Sequence, residues 1–556
     1  MDKLTTALRG LLPGLALVLL AFGVGGWGDY PVNDDWQYAH VAKQLAETGH
    51  MRVDVAIAPS VVGQAALAYP FLAWLGFSHT LLRGLTLALA CLCLFVLDRI
   101  LAELDVSPGV RLASLLLLAL TPLFAYLSLS FMTEIWGLAP GLVALWIWVR
   151  AARGRDDDLP PQWAIVAAAV LLGGAFWIRQ LASLLFPALA GAVVLRRPSQ
   201  VVRLIPGALV FGLLVWGYFA WSKATGNLRP EFARPMGGLL DLDRRAWSVE
   251  LGAFVLYLTA FSLPLLVCLP WRGARPVAWA GGAALLGGVL WICFATLAKV
   301  VPHNHLHPRF PILTNLLYET GIGPITLAET PRHYLPGYAG LWTVVQGVLV
   351  GASLLWVPAG RWLKLALRDR RGRTAQVVLA CLLLALGNLI FCVQAYKLEV
   401  FDRYHFPALV AISLALTIVV DRAVRSRSLG PWRLAAIAGA AAPLLLYTFV
   451  GLHDQFAWMS ARAALYQRAL AAGVSPQNLD AGYELNGWFA FVEKPAGAPP
   501  SRCRGACATR PTWYVEDDSQ RIGFAVQPDH RLVEAIDPGL WMLPVQRVVW
   551  TERLGP

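Results

Sequence analysis

Apolar runs about twenty residues long alternate with polar connections from residue 10 to residue 451. That is the length a helix needs to cross the hydrocarbon core of a bilayer. Thirteen spans are predicted, at 10–28, 80–98, 111–129, 131–149, 162–178, 181–195, 204–222, 248–270, 277–298, 338–357, 376–395, 406–421 and 434–451. The fifth and sixth are short. Arg150, Arg153 and Arg155 precede this pair and Arg196 and Arg197 follow it, so an even number of crossings separates the two basic clusters. Beyond residue 451 the pattern changes. FAWMSARAALYQRAL has an apolar stripe at helical spacing and stops at Gly473. TWYVE, RIGFAV and VQRVVW have the short alternation of strands. The expected architecture is a polytopic all-α membrane domain, residues 1–450, followed by a small α+β domain, residues 451–556.

Three connections are long, at 29–79, 223–247 and 299–337, and long connections in a compact protein carry function. Composition supports the membrane assignment: 57% of residues are hydrophobic and 14% charged, where soluble domains carry roughly 25% charge. The net charge of +12 does not imply nucleic acid, because the basic residues lie in short connections between spans. Lys3, Arg9, Arg196, Arg197, Arg203, Arg272 and Arg275 lie there, as do the runs RWLKLALRDRRGR and DRAVRSRSLGPWR. These connections are expected to be cytoplasmic, with the N-terminus inside. The long connections and, with an odd number of spans, the C-terminus are then expected outside, in the periplasm if the host is bacterial and the membrane its inner one. The first apolar run lacks a small-residue cleavage site and is expected to remain as a span. Of eight cysteines only Cys503 and Cys507, in CRGAC, fall outside spans. In an oxidising compartment a disulfide between them is expected, with two free thiols as the other reading.

The stretch NDDWQYAHVAKQLAETG follows the first span. Asp34 can cap a helix, with Gln37 completing a capping box, and acids in a first turn suit the helix dipole. Trp36, Ala39, Val41, Ala42 and Leu45 form an apolar stripe, which predicts a helix lying on the outer membrane face. A cap needs one short polar residue, and here Asp34 and Asp35 stand side by side.

An N-terminal span followed by an acidic pair opening a helix, with Tyr38 and Ala39 after it, resembles the first extracytoplasmic loop of GT-C glycosyltransferases. The protein O-mannosyltransferases and the lipid A aminoarabinose transferases are the nearest in pattern. LLRGLTLALACLCLFVLDRI resembles the second span of that family, and SFMTEIWGLAPGLVALWIWVRAARGRD the span opening on a Thr-acid pair, here Thr133 and Glu134. GGAFWIRQLASLLFPALAGAVVLRR resembles paired spans with a basic residue at their outer junction, here Arg179. FDRYHFPALVA resembles a late Arg-Tyr entry into a span, here Arg403 and Tyr404. The resemblance covers residues 10–420 and omits the tail. Where the aminoarabinose transferases place a phosphate-contacting Lys in the first loop, this chain has Gln64 within VVGQAALAYPFLAW.

The resemblance implies a GT-C fold and an inverting transfer of a sugar from a polyprenyl-phosphate donor, outside the membrane, to a glycan, lipid or protein acceptor. Asp34 would be the base for the acceptor hydroxyl, and Asp35 would raise its proton affinity by like-charge repulsion. Cations would stabilise the departing lipid phosphate, with arginine best suited through its bidentate fork. Arg179, Arg403 and Lys397 are the candidates, then Lys299 and Arg309. Glu134, Tyr404 and Gln64 are further substrate-binding candidates. Structural alternatives stand beside these roles: Arg179 snorkelling to the interface, Arg403 pairing with Asp402, Glu134 at a helix start. His303, His305 and His307 in HNHLHPRF alternate, but no acid or cysteine is close by, so no metal or other cofactor is expected. The competing functions are a lipid-linked sugar flippase and a surface-polysaccharide polymerase or ligase. A flippase would show repeats and mid-membrane charges; here the candidate charges fall at outer span ends.

Overall fold

The computed structural model describes residues 2–51, 53, 61–154, 159–226, 244–270, 287, 309–327, 336–368, 372–395, 400–425, 430–491 and 514–555. Among them, seven helices are long and apolar enough to cross a membrane. These are His79–Glu103, Pro198–Ala224, Arg245–Cys268, Gly340–Arg368, Arg373–Ala395, Asp402–Arg425 and Pro431–Ala471. The expected third span is a helix pair, Pro108–Ala119 and Pro122–Ser128, bent by 69°. The break sits at Thr121, extended at ψ 148°, as the residue before a proline prefers. The expected sixth span is likewise two pieces, Gln180–Ser183 and Leu185–Arg196. The helix Thr133–Ala151 stands where the fourth was expected. The expected ninth span, 277–298, lies outside the described residues.

Long helices present uncovered apolar stripes. Leu209, Leu213 and Trp216 are each more than 60% exposed on one helix, and Leu341, Val344 and Val348 each more than 50% on another. Rows spaced three and four residues apart lie along one side of a helix and match contact with hydrocarbon. Polar contacts segregate to two ends of the bundle. At one end Asp98 pairs with Arg111, Asp421 accepts from Ser107 and pairs with Arg425, and Arg196 donates to the Leu367 carbonyl. At the other end Asp34, Glu134, Arg179 and Arg403 meet. These two sets are the ones that the alternation of spans assigns to opposite sides.

No break in the helix marks residue 451. Pro431–Ala471 is one continuous helix of 41 residues, so the expected boundary falls inside it. At about 1.5 Å per residue it is some 60 Å long, roughly twice the hydrocarbon thickness. Its far half carries Trp458, whose ring lies 5.5 Å from that of Phe524 beneath a four-stranded sheet. In that sheet Leu479–Asp480 runs parallel to Gln520–Gly523, which is antiparallel to Val548–Arg553, itself antiparallel to His530–Ile536. Two of the expected strands thus form in part; the described end of TWYVE, Tyr514–Glu516, is not a strand, and His530–Ile536 has no counterpart in the sequence expectation.

A short helix, Tyr483–Ala490, seats the tail on the first-loop helix Asp35–Thr48. Trp36 is 1% exposed because this helix covers it, so protein rather than lipid takes the apolar stripe expected to lie on the membrane. Tyr483 and Tyr514 flank the Trp36 ring at 5.7 and 5.6 Å. The approach depends on Gly487, where an added Cβ would stand 2.4 Å from the Trp36 ring. Beneath it Arg462 and Glu484, both fully buried, pair at 2.9 Å. Gly487→Ala is therefore expected to lower stability by about 1–3 kcal/mol, the usual cost of overpacking. Thermal unfolding in detergent, compared with an exposed control such as Gly473→Asn, measures it.

Candidate functional site

The stretch from Asp29 to Asp35 assigns almost every polar group to the fold. Asp29 Oδ1 accepts from the Ser78 hydroxyl and from the His79 and Thr80 amides at 3.0, 2.7 and 3.3 Å, covering the N-terminus of the next long helix. Arg83, 1% exposed, donates to the carbonyls of Gly26, Gly28 and Tyr30 at 2.8, 2.8 and 3.0 Å. Asn33 takes a left-handed turn at φ 56° and donates to Asn315 at 3.2 Å. Asp35 accepts from the Val32 amide at 2.6 Å and the Phe131 amide at 3.2 Å. Burial pushes its carboxyl up to about 7, against the pull of Arg83 and these two amides. Asp35 thus clasps the loop to the Thr133 helix.

Asp34 is what this scaffold leaves over. It has helical dihedrals and makes no side-chain capping bond, and Gln37 makes no capping box. A charge-assisted bond takes the carboxylate instead: Asp34 Oδ2 accepts from Arg403 Nη2 at 2.6 Å. Arg403 Nε lies 3.8 Å from Glu134 Oε1, and that same oxygen is 3.0 Å from Arg179 Nη2. Asp34, Arg403, Glu134 and Arg179 form a chain of alternating charge drawn from four segments. Its middle is closed and its ends are open: side-chain exposure is 21% at Asp34, 4% at Arg403, 2% at Glu134 and 13% at Arg179. The Tyr404 ring lies between the two guanidiniums, 4.9 Å from Arg179 and 5.9 Å from Arg403. Asp402 does not pair with the guanidinium of its neighbour. It accepts from the amides of Leu316 at 2.9 Å, Leu317 at 2.6 Å and Arg403 at 2.6 Å, tying the Arg403 turn to the hairpin Leu317–Ile322.

On the open side of Asp34, Oδ1 accepts from the Tyr483 hydroxyl at 3.2 Å, and that hydroxyl accepts from Gln37 at 2.6 Å. Sequence reasoning missed Tyr483, which stands 449 positions away with no local signal. From Glu134 and Arg179 an apolar slot runs between four helices, walled by Gly137, Leu142, Leu185, Leu384, Phe406 and Val410. Gly137 lets the Arg179 stem pass; a Cβ there would stand 2.8 Å from Arg179 Cβ. Gln64 lies off this chain, fully buried and donating to the Phe131 carbonyl at 3.0 Å, where it braces the loop. Arg309 faces Glu319 at 3.9 Å. Lys299, Lys397, His303, His305, His307, Cys503 and Cys507 lie outside the described residues. A divalent cation at this site would need converging free carboxylates, and both Asp34 and Glu134 face guanidiniums.

No family model matches the chain, and no curated protein matches it. Among solved structures it is similar to ArnT from Cupriavidus metallidurans bound to undecaprenyl phosphate, at 16% identity over 98% of each chain with a TM-score of 0.40. It is also similar to the archaeal oligosaccharyltransferase AglB from Archaeoglobus fulgidus in complex with an inhibitory peptide and a dolichol-phosphate. There the identity is 15%, over 82% of this chain and 55% of that one, with a TM-score of 0.41. The chain therefore spans about half the length of the oligosaccharyltransferase.

The Asp35 carboxyl supplies a pH test. Its pKa rises from 3.8 in a free chain to about 7 in the fold. The folded protein then holds more protons between these values, so this group's contribution to stability is complete below pH 3.8 and is lost as pH climbs to about 7. Asp35→Asn is expected to remove that component. Denaturant unfolding at stepped pH should show the wild-type minus variant difference falling across the window; a flat difference would contradict the burial argument.

Proposed function

We propose that this chain is an integral-membrane GT-C glycosyltransferase. It moves a sugar from a polyprenyl-phosphate donor to an acceptor hydroxyl, with inversion at the anomeric carbon, on the side of the membrane reached by Asp34. The observation that carries this is the alternating chain ending in a half-open carboxylate at one end and, at the other, a guanidinium at the mouth of an apolar slot. An isoprenoid tail requires a slot walled by leucine, valine and phenylalanine, and a lipid phosphate requires a partly exposed guanidinium beside it.

In the step proposed, the acceptor hydroxyl gives its proton to Asp34. The acceptor oxygen bonds to the anomeric carbon, the bond from that carbon to phosphate oxygen breaks, and its electron pair leaves on the lipid phosphate. Arg403 aims Asp34 through one carboxylate oxygen, while Tyr483 fixes the other. As negative charge grows on the phosphate, Arg179 and Arg403 can turn toward it from Glu134, an exchange of partners within a preorganised dry site. The expected sidedness, with Asp34 and the tail outside and the short basic connections in the cytoplasm, supports use of a donor delivered to the outer leaflet. The tail from the 450s onward is proposed as the acceptor-side element, because it contributes Tyr483.

Asp34→Asn is expected to lower turnover by about 10²–10⁴-fold, the usual worth of a positioned base, while leaving donor binding intact. Tyr483→Phe is expected to lower kcat about tenfold, roughly one hydrogen bond to a charged group, with little change in donor KM. Arg179→Lys is expected to raise donor KM chiefly. Purified protein with a radiolabelled polyprenyl-phosphate sugar and candidate acceptors tests all three. Full turnover by Asp34→Asn would refute the base assignment.

A further inference from the structure

Behind the Arg403 turn lies a second group of reactive side chains that the transfer reaction does not use. Glu250 comes from the helix Arg244–Cys268, Cys392 from the helix Arg373–Ala395, and His405 from the short turn Asp402–His405. All three are fully buried. His405 Nε2 stands 3.4 Å from Glu250 Oε2, and His405 Nδ1 stands 3.8 Å from Cys392 Sγ. One donor atom from each residue falls within 4.8 Å of the others. Among the described residues, and apart from that contact between them, neither Glu250 oxygen nor His405 Nε2 has a hydrogen-bond partner.

A carboxylate sealed from water needs a compensating cation or a proton. The two nearby guanidiniums described above face Asp34 and Glu134 instead. The chemistry of the three donors offers a third solution. Imidazole, thiolate and carboxylate together are a zinc donor set, with bonds of about 2.0–2.3 Å. When a divalent ion enters, the Cys392 thiol releases its proton to solvent; the thiolate and carboxylate then balance the two positive charges, and His405 stays neutral. The whole unit has no net charge, which is what a low-dielectric interior favours. One donor atom from each residue lies within 4.8 Å of the others, and tetrahedral ligands at these bond lengths stand about 3.3–3.8 Å apart, so binding one ion through a single His405 nitrogen draws the donors together by up to about 1–1.5 Å.

The geometry points to a structural zinc site formed by Glu250, Cys392 and His405, with a water or another small donor completing four-coordination. It would tie two spanning helices to the turn that presents Arg403, two residues before His405. The site stands apart from the transfer reaction and does not depend on it.

The test is the metal content of full-length wild-type protein, purified in detergent without a histidine tag and measured by inductively coupled plasma mass spectrometry. About one zinc per chain is expected, with a large loss in Cys392→Ser and Glu250→Gln. After chelation, wild-type protein titrated with cobalt(II) should develop a thiolate-to-cobalt charge-transfer band that Cys392→Ser lacks. Background metal in the wild type with no such band on cobalt addition would overturn the site. So would undiminished zinc in both variants. Because the wild-type measurements stand alone, a variant that fails to fold does not rescue the proposal.

Discussion

A charged side chain cannot remain alone in a dry interior, and the site described here is organised by that constraint. Glu134 is closed off by the bundle and requires cations; Arg403 and Arg179 supply them. Arg403 is almost as closed and requires a second anion, which Asp34 provides. Once the two middle charges are buried, the positions of the two outer ones follow. Asp34 and Arg179 are therefore held in place by electrostatics that act before any ligand arrives. Breaking such a chain at one member leaves an uncompensated neighbour, so the members answer to one another more strongly than their sequence distances suggest.

Backbone groups reinforce the arrangement. The turn bearing Arg403 is pinned by Asp402 to the amides of Leu316 and Leu317, and the loop bearing Asp34 is pinned by Arg83 to three carbonyls. Asp29, Asn33 and Asp35 each satisfy a different neighbour. Two adjacent acids thus have separate duties. Asp35 is turned inward and serves the fold, and Asp34 is turned toward the open end of the charge chain. Preorganisation of this kind limits the rearrangement that developing charge demands to an exchange of partners by groups already in place.

Hydropathy made the membrane helices legible because crossing a bilayer imposes both a length and an apolar composition. Charges at the ends of apolar runs were legible for the same reason: Glu134, Arg179 and Arg403 stand out because their surroundings exclude charge. The break at Thr121 was written in Pro122, although a continuous apolar run concealed it. Other features leave no local trace. Tyr483 meets Asp34 only through the docking of the tail, and no periodicity encodes a contact spanning most of the chain. Gln64 sits at a position where the resemblance suggested phosphate contact, yet its amide is spent on the Phe131 carbonyl. The cap expected at Asp34 failed because a guanidinium outbid a backbone amide. The change of pattern at residue 451 marks no break in the helix, because an apolar stretch and an amphipathic one join without a turn.

That seamless join has a mechanical meaning. A folded unit attached through a floppy tether must surrender the freedom of the tether whenever it docks, a cost that grows slowly with its length. Here the attachment is a rod, Pro431–Ala471, and the sheet rests directly on its far half. The sheet is thus carried on a continuation of a spanning helix, and the contact of Tyr483 with Asp34 forms with no slack linker to immobilise first.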